Sequence, residues 1–297
     1  MFPIKTIIVP TDFSDASEAA LRSAAALARH DGASVHLLHV IRLPFLHTTY
    51  DVNVPEAIWK GLRKGTEERL GEASRQLEEL GVREVHRIVS DSLQPEEAIE
   101  RSARELDADL VLMATRDPSS LKVAVLGSVT ARTVRSAPAP VLTVRGEGLG
   151  GSPVARILLA TDFSRHAERA AALASAFARR FEARLDVIHV LESSPEVIRA
   201  ISSELAAFED QARAIAGDRL TELGERLQSE GIAATPHLLR GRPVDTIVAE
   251  AERLGADLVV LGTHGNTGFA RIALGSVAER TLRLAPCSVL TTHAEDE

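Results

Sequence analysis

"IIVPTDFSDASEAALRSAAALAR" at Ile7–Arg29 returns as "ILLATDFSRHAERAAALASAFAR" at Ile157–Arg179, and this pair of stretches decides the fold. Each holds a short apolar run, the polar tetrapeptide "TDFS" and a long alanine-rich amphipathic segment, the pattern of a buried strand, a turn and a helix. The offset of 150 residues holds through "VHLLHV" at Val35–Val40 against "LDVIHV" at Leu185–Val190. It becomes 148 where Pro95 pairs with Pro243, Gly127-Ser128 with Gly275-Ser276 and Ala137-Pro138 with Ala285-Pro286. The chain is therefore a tandem repeat. "GEGLGGSP", Gly146–Pro153, has the composition of a flexible linker rather than a packed element, which sets two domains at 1–146 and 154–297.

Each half alternates short apolar runs with helix-like segments. In the second half the runs are "RILLA", "LDVIHV", "ATPHLL", "ADLVVLG" and "CSVLTTH". Continuous apolar strands joined by helical crossovers imply a parallel sheet covered on both faces, so the expected fold is a doubly wound, five-stranded α/β domain made twice. Ligands of such sheets bind outside the carboxyl ends of the strands, where the strand order reverses.

Composition narrows the function. A net charge of −8 and 3% aromatic residues argue against a nucleic-acid partner, which wants a basic face and stacking rings. The apolar runs are far shorter than the ~20 residues that span a bilayer, so no membrane partner is expected. Cys287 is the sole cysteine, which fits a reducing cytoplasm and excludes a cysteine-based metal cluster.

Three strand ends carry candidate chemistry. Thr161-Asp162, matched by Thr11-Asp12, follows the first strand where a dinucleotide-binding domain would place its G-x-G-x-x-G; there is no glycine, which disfavours a nicotinamide dehydrogenase. Asp162 can accept from a ribose hydroxyl or an adenine amino group, and it can equally belong to a helix cap. After the fourth strand come Gly262, Gly265, Gly268 and Gly275, followed by "SVAERTLRL". Glycines there can let backbone N–H groups and a helix N-terminus close on phosphate oxygens, or can simply make a turn. Ser276 can both cap that helix and donate its hydroxyl. Gly241 and Pro243 in "RGRPVDTI" suit either a ligand rim or a turn before a helix. His39 and His189 end the second strands and read as packed or surface residues, and no spacing resembles a metal site. Neither a P-loop nor a G-x-S-x-G elbow is present.

Together "TDFS", the "LHV" and "IHV" strand ends, "GADLVVLGTHG" and "GSVAERTLRLAPCSVL" resemble the universal stress protein family in its tandem form, over nearly the whole chain. "GTHG", nine residues and "GS" fit the G-x2-G-x9-G-[ST] signature of the family's ATP-binding members. The resemblance implies a Rossmann-like, adenine nucleotide alpha hydrolase-like fold, with the two domains associated through their last strands as an intramolecular pseudo-dimer. It implies an ATP site in the C-terminal domain, with Mg2+ carried by the phosphates and no metal ligand or catalytic residue from the protein. Asp162, with Ala160 and Thr161, would meet the adenosine, and Val190 and Leu261 would lie beside it. Gly262, Gly265, Gly275 and Ser276, with the Val277 backbone, would cradle the ribose and phosphates.

The first half departs from this pattern. It has Ala114 and Asp117 in place of the first two glycines and "SLQP" in place of "GRP", while Gly127-Ser128 survives. It is expected to bind ATP weakly or not at all, its Gly-Ser kept to cap the last helix. The leading expectation is a stress-response or signalling protein that binds ATP in its C-terminal domain and uses its N-terminal domain as a structural or regulatory partner. The alternatives are a slow ATPase, for which His264 is the nearby base, and a nucleotide-free scaffold for protein contacts. Binding is favoured over turnover because no Walker-type lysine or acidic metal ligand is present. A homodimer and an unknown signalling protein are further partners left open.

Overall fold

The computed structural model describes residues 4–42, 55–115, 126–150, 154–192, 203–265 and 274–293. The chain divides into two compact units, with the change at Ser152–Pro153.

In the N-terminal unit, β1 (Thr6–Pro10), α1 (Asp15–Asp31), β2 (Ser34–Ile41), α2 (Glu56–Glu79), β3 (Val85–Asp91), α3 (Pro95–Glu105), β4 (Leu110–Ala114), α4 (Ser128–Ser136) and β5 (Val141–Val144) alternate. The C-terminal unit repeats the order: β6 (Arg156–Ala160), α5 (Arg165–Phe181), β7 (Arg184–Glu192), α6 (Ser203–Ser229), β8 (Ala234–Gly241), α7 (Pro243–Leu254), β9 (Leu258–Gly262), α8 (Ser276–Leu284) and β10 (Ser288–Thr292). Strands run in the order β3-β2-β1-β4-β5 in the first unit and β8-β7-β6-β9-β10 in the second. All these pairs are parallel. The order reverses between β1 and β4, and again between β6 and β9, which makes the carboxyl ends of those strands the natural binding edge.

The central strands are buried on both faces, as their unbroken apolar runs require. Ile7, Ile8 and Val9, and likewise Ile157, Leu158 and Leu159, are fully buried. Alanine dominates the sheet-facing sides of α1 and α5, with Ala20, Ala24 and Ala28 in one and Ala170, Ala174 and Ala178 in the other. Small side chains let both helices lie close to the sheet. The unit's first strand is also stitched at its start: Asp109 Oδ2 accepts from Lys5 N and Thr6 N at 2.7 and 2.9 Å, and Asp257 Oδ2 from Ala155 N and Arg156 N at 2.8 and 2.9 Å.

The segment after β5 differs from its expected flexibility. Gly148–Gly150 forms a 3-10 turn packed on α1, with Leu149 buried and its N–H donating to Ser23 Oγ at 2.9 Å. Gly148 has φ +70, and a Cβ there would run into Ser23 Oγ, Val144 Cγ1 and the Ala19 carbonyl. Leucine inside a glycine-rich stretch supplied the anchor that composition alone concealed.

Candidate functional site

The "TDFS" turn is built alike in both units and is strained. Phe13 and Phe163 hold φ of 60 and 61, a left-handed backbone rare for bulky residues. The turn is held by local bonds: Phe163 N donates to Thr161 Oγ1 and Ser164 N to Asp162 Oδ1, each at 3.0 Å. The Phe163 ring then packs on His189 at 4.6 Å between centroids, while His189 Nδ1–H donates to the Thr161 carbonyl at 2.8 Å. His39 does the same with Thr11 at 2.8 Å and stacks on Phe13 at 4.5 Å. These histidines brace the turn, and burial holds His39 below its ordinary range despite the Thr11 bond.

The capping work falls to serine in the second unit: Ser164 Oγ accepts from Ala167 N at 3.2 Å to cap α5. In the first unit Asp12 Oδ1 instead accepts from Ser14 N, Ser14 Oγ and Ser17 Oγ at 3.0, 2.5 and 2.9 Å, and Ser14 makes no side-chain cap bond. Ala167 stands where Ser17 would be. Asp162 is half-buried and Asp12 exposed.

A cleft of about 340 Å3 opens at the carboxyl ends of β6, β7 and β9. Ala160, Thr161 and Asp162 line it from β6 and the following turn, and Val190 from β7. Leu261, Gly262 and Gly265 line it from β9 and the loop beyond, and Gly275, Ser276 and Val277 from the start of α8. All ten residues singled out in the sequence thus converge on one cleft. Sequence reasoning missed Ile188, Ile247 and Ala278, which add apolar wall, and Glu192, which adds a second carboxylate to the lining. Ile188 was legible as the residue two before Val190 on the same strand face; Ile247 comes from α7, whose approach depends on the tertiary fold. No lysine or arginine is among the described residues lining the cleft.

The glycines have neighbours that the sequence did not disclose. A Cβ on Gly262 would lie 2.7 Å from His166 Cβ and 2.9 Å from its carbonyl carbon, so this glycine admits the first turn of α5 against β9. A Cβ on Gly265 would lie 2.7 Å from Asp162 Oδ2, which ties the glycine loop to the "TDFS" turn. A Cβ on Gly275 would lie 2.8 Å from Thr263 O, and Gly275 N–H donates to that oxygen at 2.9 Å, pinning the two ends of the loop together. Packing of α5 therefore asks for a glycine at position 262 in its own right, beside the approach of ribose or phosphate expected from the sequence. Gly241, with φ +151 and Thr246 Oγ1 2.5 Å from a would-be Cβ, is a turn glycine beneath α7; Pro243 lines the cleft and Gly241 does not. Gly268 and Asp117 lie outside the described residues.

One expectation is corrected at the helix start. Ser276 and Ser128 are the first helical residues, their N-caps are Gly275 and Gly127, and neither helix has a side-chain cap bond. Each glycine accepts the first helical bond with its backbone carbonyl, from Ala131 N and Glu279 N at 2.9 Å, but has no side-chain oxygen to offer, so the serine of Gly-Ser is not the cap. The N–H groups of Ser276, Val277 and Ala278 have no acceptor within α8, and all three residues face the cleft.

The doubly wound α/β unit is present twice in the chain, and the second copy holds this cleft at its switch point. The family model described as "Universal stress protein family" matches residues 3–145 and 153–293, and the chain belongs to that family. It is 27% identical over 295 residues to universal stress protein Rv2623 of Mycobacterium tuberculosis, covering 97% of this chain and 96% of the relative. A single-domain relative from Thermus aquaticus is 38% identical over 140 residues, 45% of this chain and 95% of its own. A universal stress protein from Archaeoglobus fulgidus shares the fold across 99% of this chain and 98% of its own, with TM-score 0.75 at 22% identity. Among the described residues no helix is long and apolar enough to cross a membrane, and no group of three or more His, Cys, Asp or Glu is arranged to hold a metal ion.

Proposed function

We propose that this universal stress protein binds an adenine nucleotide, ATP, in its C-terminal unit, with Mg2+ carried on the phosphates, and signals by its occupancy. The observation that carries this reading is the composition of the cleft at the carboxyl ends of β6, β7 and β9. Its wall of Ile188, Val190 and Leu261 suits a flat apolar base. Asp162 stands at the strand end as an acceptor for ribose hydroxyls, and the N–H groups of Ser276, Val277 and Ala278, which have no acceptor within α8, stand at the cleft as donors for an anion. Asp162, the glycines and Ser276 singled out in the sequence line it together with the residues that the family resemblance implies, from four separate segments. With no cationic side chain among the described lining residues, phosphate recognition falls to backbone dipoles and to the Ser276 hydroxyl. The N-terminal unit serves as the structural or regulatory partner.

Mass analysis of nucleotide released from the purified protein, with calorimetry of added Mg-ATP, tests the reading. ATP in the released fraction, or saturable binding at one site per chain, supports it. An empty protein that gives no binding heat and no thermal shift with ATP sinks it. Binding without turnover is expected, so ATP recovered after prolonged incubation should be intact.

A further inference from the structure

Phe163 is the middle residue of the turn that carries Asp162, and its ring is held from outside that turn. Its backbone has φ 61, a strained value that persists only where the surroundings over-determine it. Asp162 Oδ1 accepts from Ser164 N at 3.0 Å and closes the turn across Phe163, while Asp162 Oδ2 lies 2.7 Å from the place of a Cβ on Gly265. One carboxylate oxygen thus belongs to the turn and the other faces the glycine loop. The Phe163 ring packs on His189, and the guanidinium carbon of Arg219, from α6, stands over the same ring 5.7 Å from its centroid. Among the described residues Arg219 makes no ion pair, so the ring is what holds it.

The first unit builds the same stack more tightly. Phe13 has His39 at 4.5 Å and the Arg69 guanidinium carbon at 4.2 Å, and Arg69 Nη2 donates to the Phe13 carbonyl at 3.3 Å. Two groups so close to one ring centre must take opposite faces, so the phenylalanine is sandwiched. Asp12 is held in addition by the hydroxyls of Ser14 and Ser17. Neither has a counterpart at Asp162, because Ser164 Oγ accepts from α5 and Ala167 replaces Ser17. The direction of the Asp162 carboxylate therefore depends more on its phenylalanine than that of Asp12 does.

We propose that Arg219 is a positioning residue for the nucleotide: through the Phe163 ring it holds the strained turn that aims the Asp162 carboxylate at the ribose. This rests on the nucleotide reading above. The turn is a shared wall, since Thr161 and Ala167 line both the cleft and a groove between α5 and α6 that Phe163, Arg219 and Arg226 also line. A shift of the ring on the groove side is thereby a shift of the cleft wall. A cation over an exposed phenyl face is worth about two- to fivefold in an equilibrium, which sets the size of the effect.

The test is calorimetry of the full chain with Mg-ATP and with magnesium 2′,3′-dideoxy-ATP, which lacks the ribose hydroxyls that Asp162 would accept from. Arg219→Met keeps the length of the side chain and removes the cation at an exposed position. It should weaken Mg-ATP binding about two- to fivefold and leave the dideoxy nucleotide unchanged. Arg226→Met removes the same charge from the same helix and groove, at a residue with no ring contact among those described, and should change neither affinity. No loss with Mg-ATP, an equal loss with both nucleotides, or equal losses in the two variants would overturn the proposal, since the ring would then aim nothing. A wild type that binds the two nucleotides alike would overturn it too, because Asp162 would then read no hydroxyl. If Arg219→Met does not fold, Phe163→Leu tests the link from its other end: it should lose affinity for Mg-ATP alone, and retained affinity would sink the idea. A wild type that binds neither nucleotide ends the nucleotide reading and this inference together.

Discussion

The loop crossing from β9 to α8 and the one from β4 to α4 start from the same design and end with different chemistry. Both leave a central strand, reach a Gly-Ser pair and enter a helix with a glycine N-cap. In the second unit Gly275 N–H is bound to Thr263 O, and a Cβ on Gly275 would strike that oxygen. In the first, the nearest atom among the described residues to a Cβ on Gly127 is Thr130 Oγ1 at 3.9 Å, ordinary contact. A glycine retained in both repeats is therefore demanded by close backbone approach in only one. What distinguishes a site from its repeat is the set of atoms brought against each glycine, and Asp162 is the telling member of that set.

The largest expected effect comes from carrying the first unit's residue into the second. In Gly265→Asp the new Cβ would start 2.7 Å from Asp162 Oδ2, and its carboxylate would face Asp162, Glu192 and any incoming phosphate. Affinity for ATP should fall at least about a hundredfold, ~2.7 kcal/mol, measured by calorimetry, with the melting temperature moved by only a few degrees. Retained binding would show that the loop is not where the phosphates lie.

Gly262→Ala asks a different question of the same strand, since its obstacle is the backbone of His166 rather than a ligand. Overpacking against a helix backbone should cost about 1–3 kcal/mol in denaturant unfolding of the second unit. The reciprocal Ala114→Gly loses no contact of that kind and should cost about 0.5–1 kcal/mol through chain entropy. Equal costs would mean that α5 can retreat freely from β9.

This pair also shows where sequence reading stops. The strands, the helix positions and the binding edge at the strand ends were legible because apolar run length and the internal repeat fix them, down to "RILLA" coinciding with Arg156–Ala160; the strand order was not read from the sequence. Of the ten cleft residues, Thr161, Asp162, the glycines and Ser276 were legible because each is tied to a strand end or a helix start, and the others came from the family resemblance. The packing demand on Gly262 was not legible, since His166 is 96 residues away and only the packed helix places its backbone there. The tilted packing of the His264 ring between His166 and His293 needs β9, α5 and β10 to be adjacent. Its one available signal was the contrast of His166, His264 and His293 with Ala16, Arg116 and Arg145 in the first half.

A smaller difference separates the two "TDFS" turns. Ser164 Oγ caps α5, so Ser164→Ala should destabilise by about 1 kcal/mol in urea titration. Ser14 donates to Asp12 and leaves α1 without a side-chain cap, so Ser14→Ala should cost clearly less. The opposite order would place the cap in the wrong repeat.

The smallest effect concerns acid. Glu96 of α3 is buried and bonded to Arg132 Nη1 of α4 at 2.5 Å, whereas the pair at the corresponding helices of the second unit, Asp245 and Arg280, is exposed and 3.7 Å apart. Burial pushes the Glu96 carboxyl up, but the Arg132 hydrogen bond and charge, helped by its own backbone N–H and by Arg42, bring it below its ordinary 4.5. A carboxylate lowered by folding stabilises above its unfolded value and loses that contribution as pH falls through the folded one. The first unit should therefore lose stability below about pH 4.5 through this pair. Glu96→Gln should be less stable at neutral pH and flatter in acid. Denaturant midpoints at pH 7 and pH 4 read this directly, because only a pair tightened by folding makes the wild type converge on the variant as the medium acidifies.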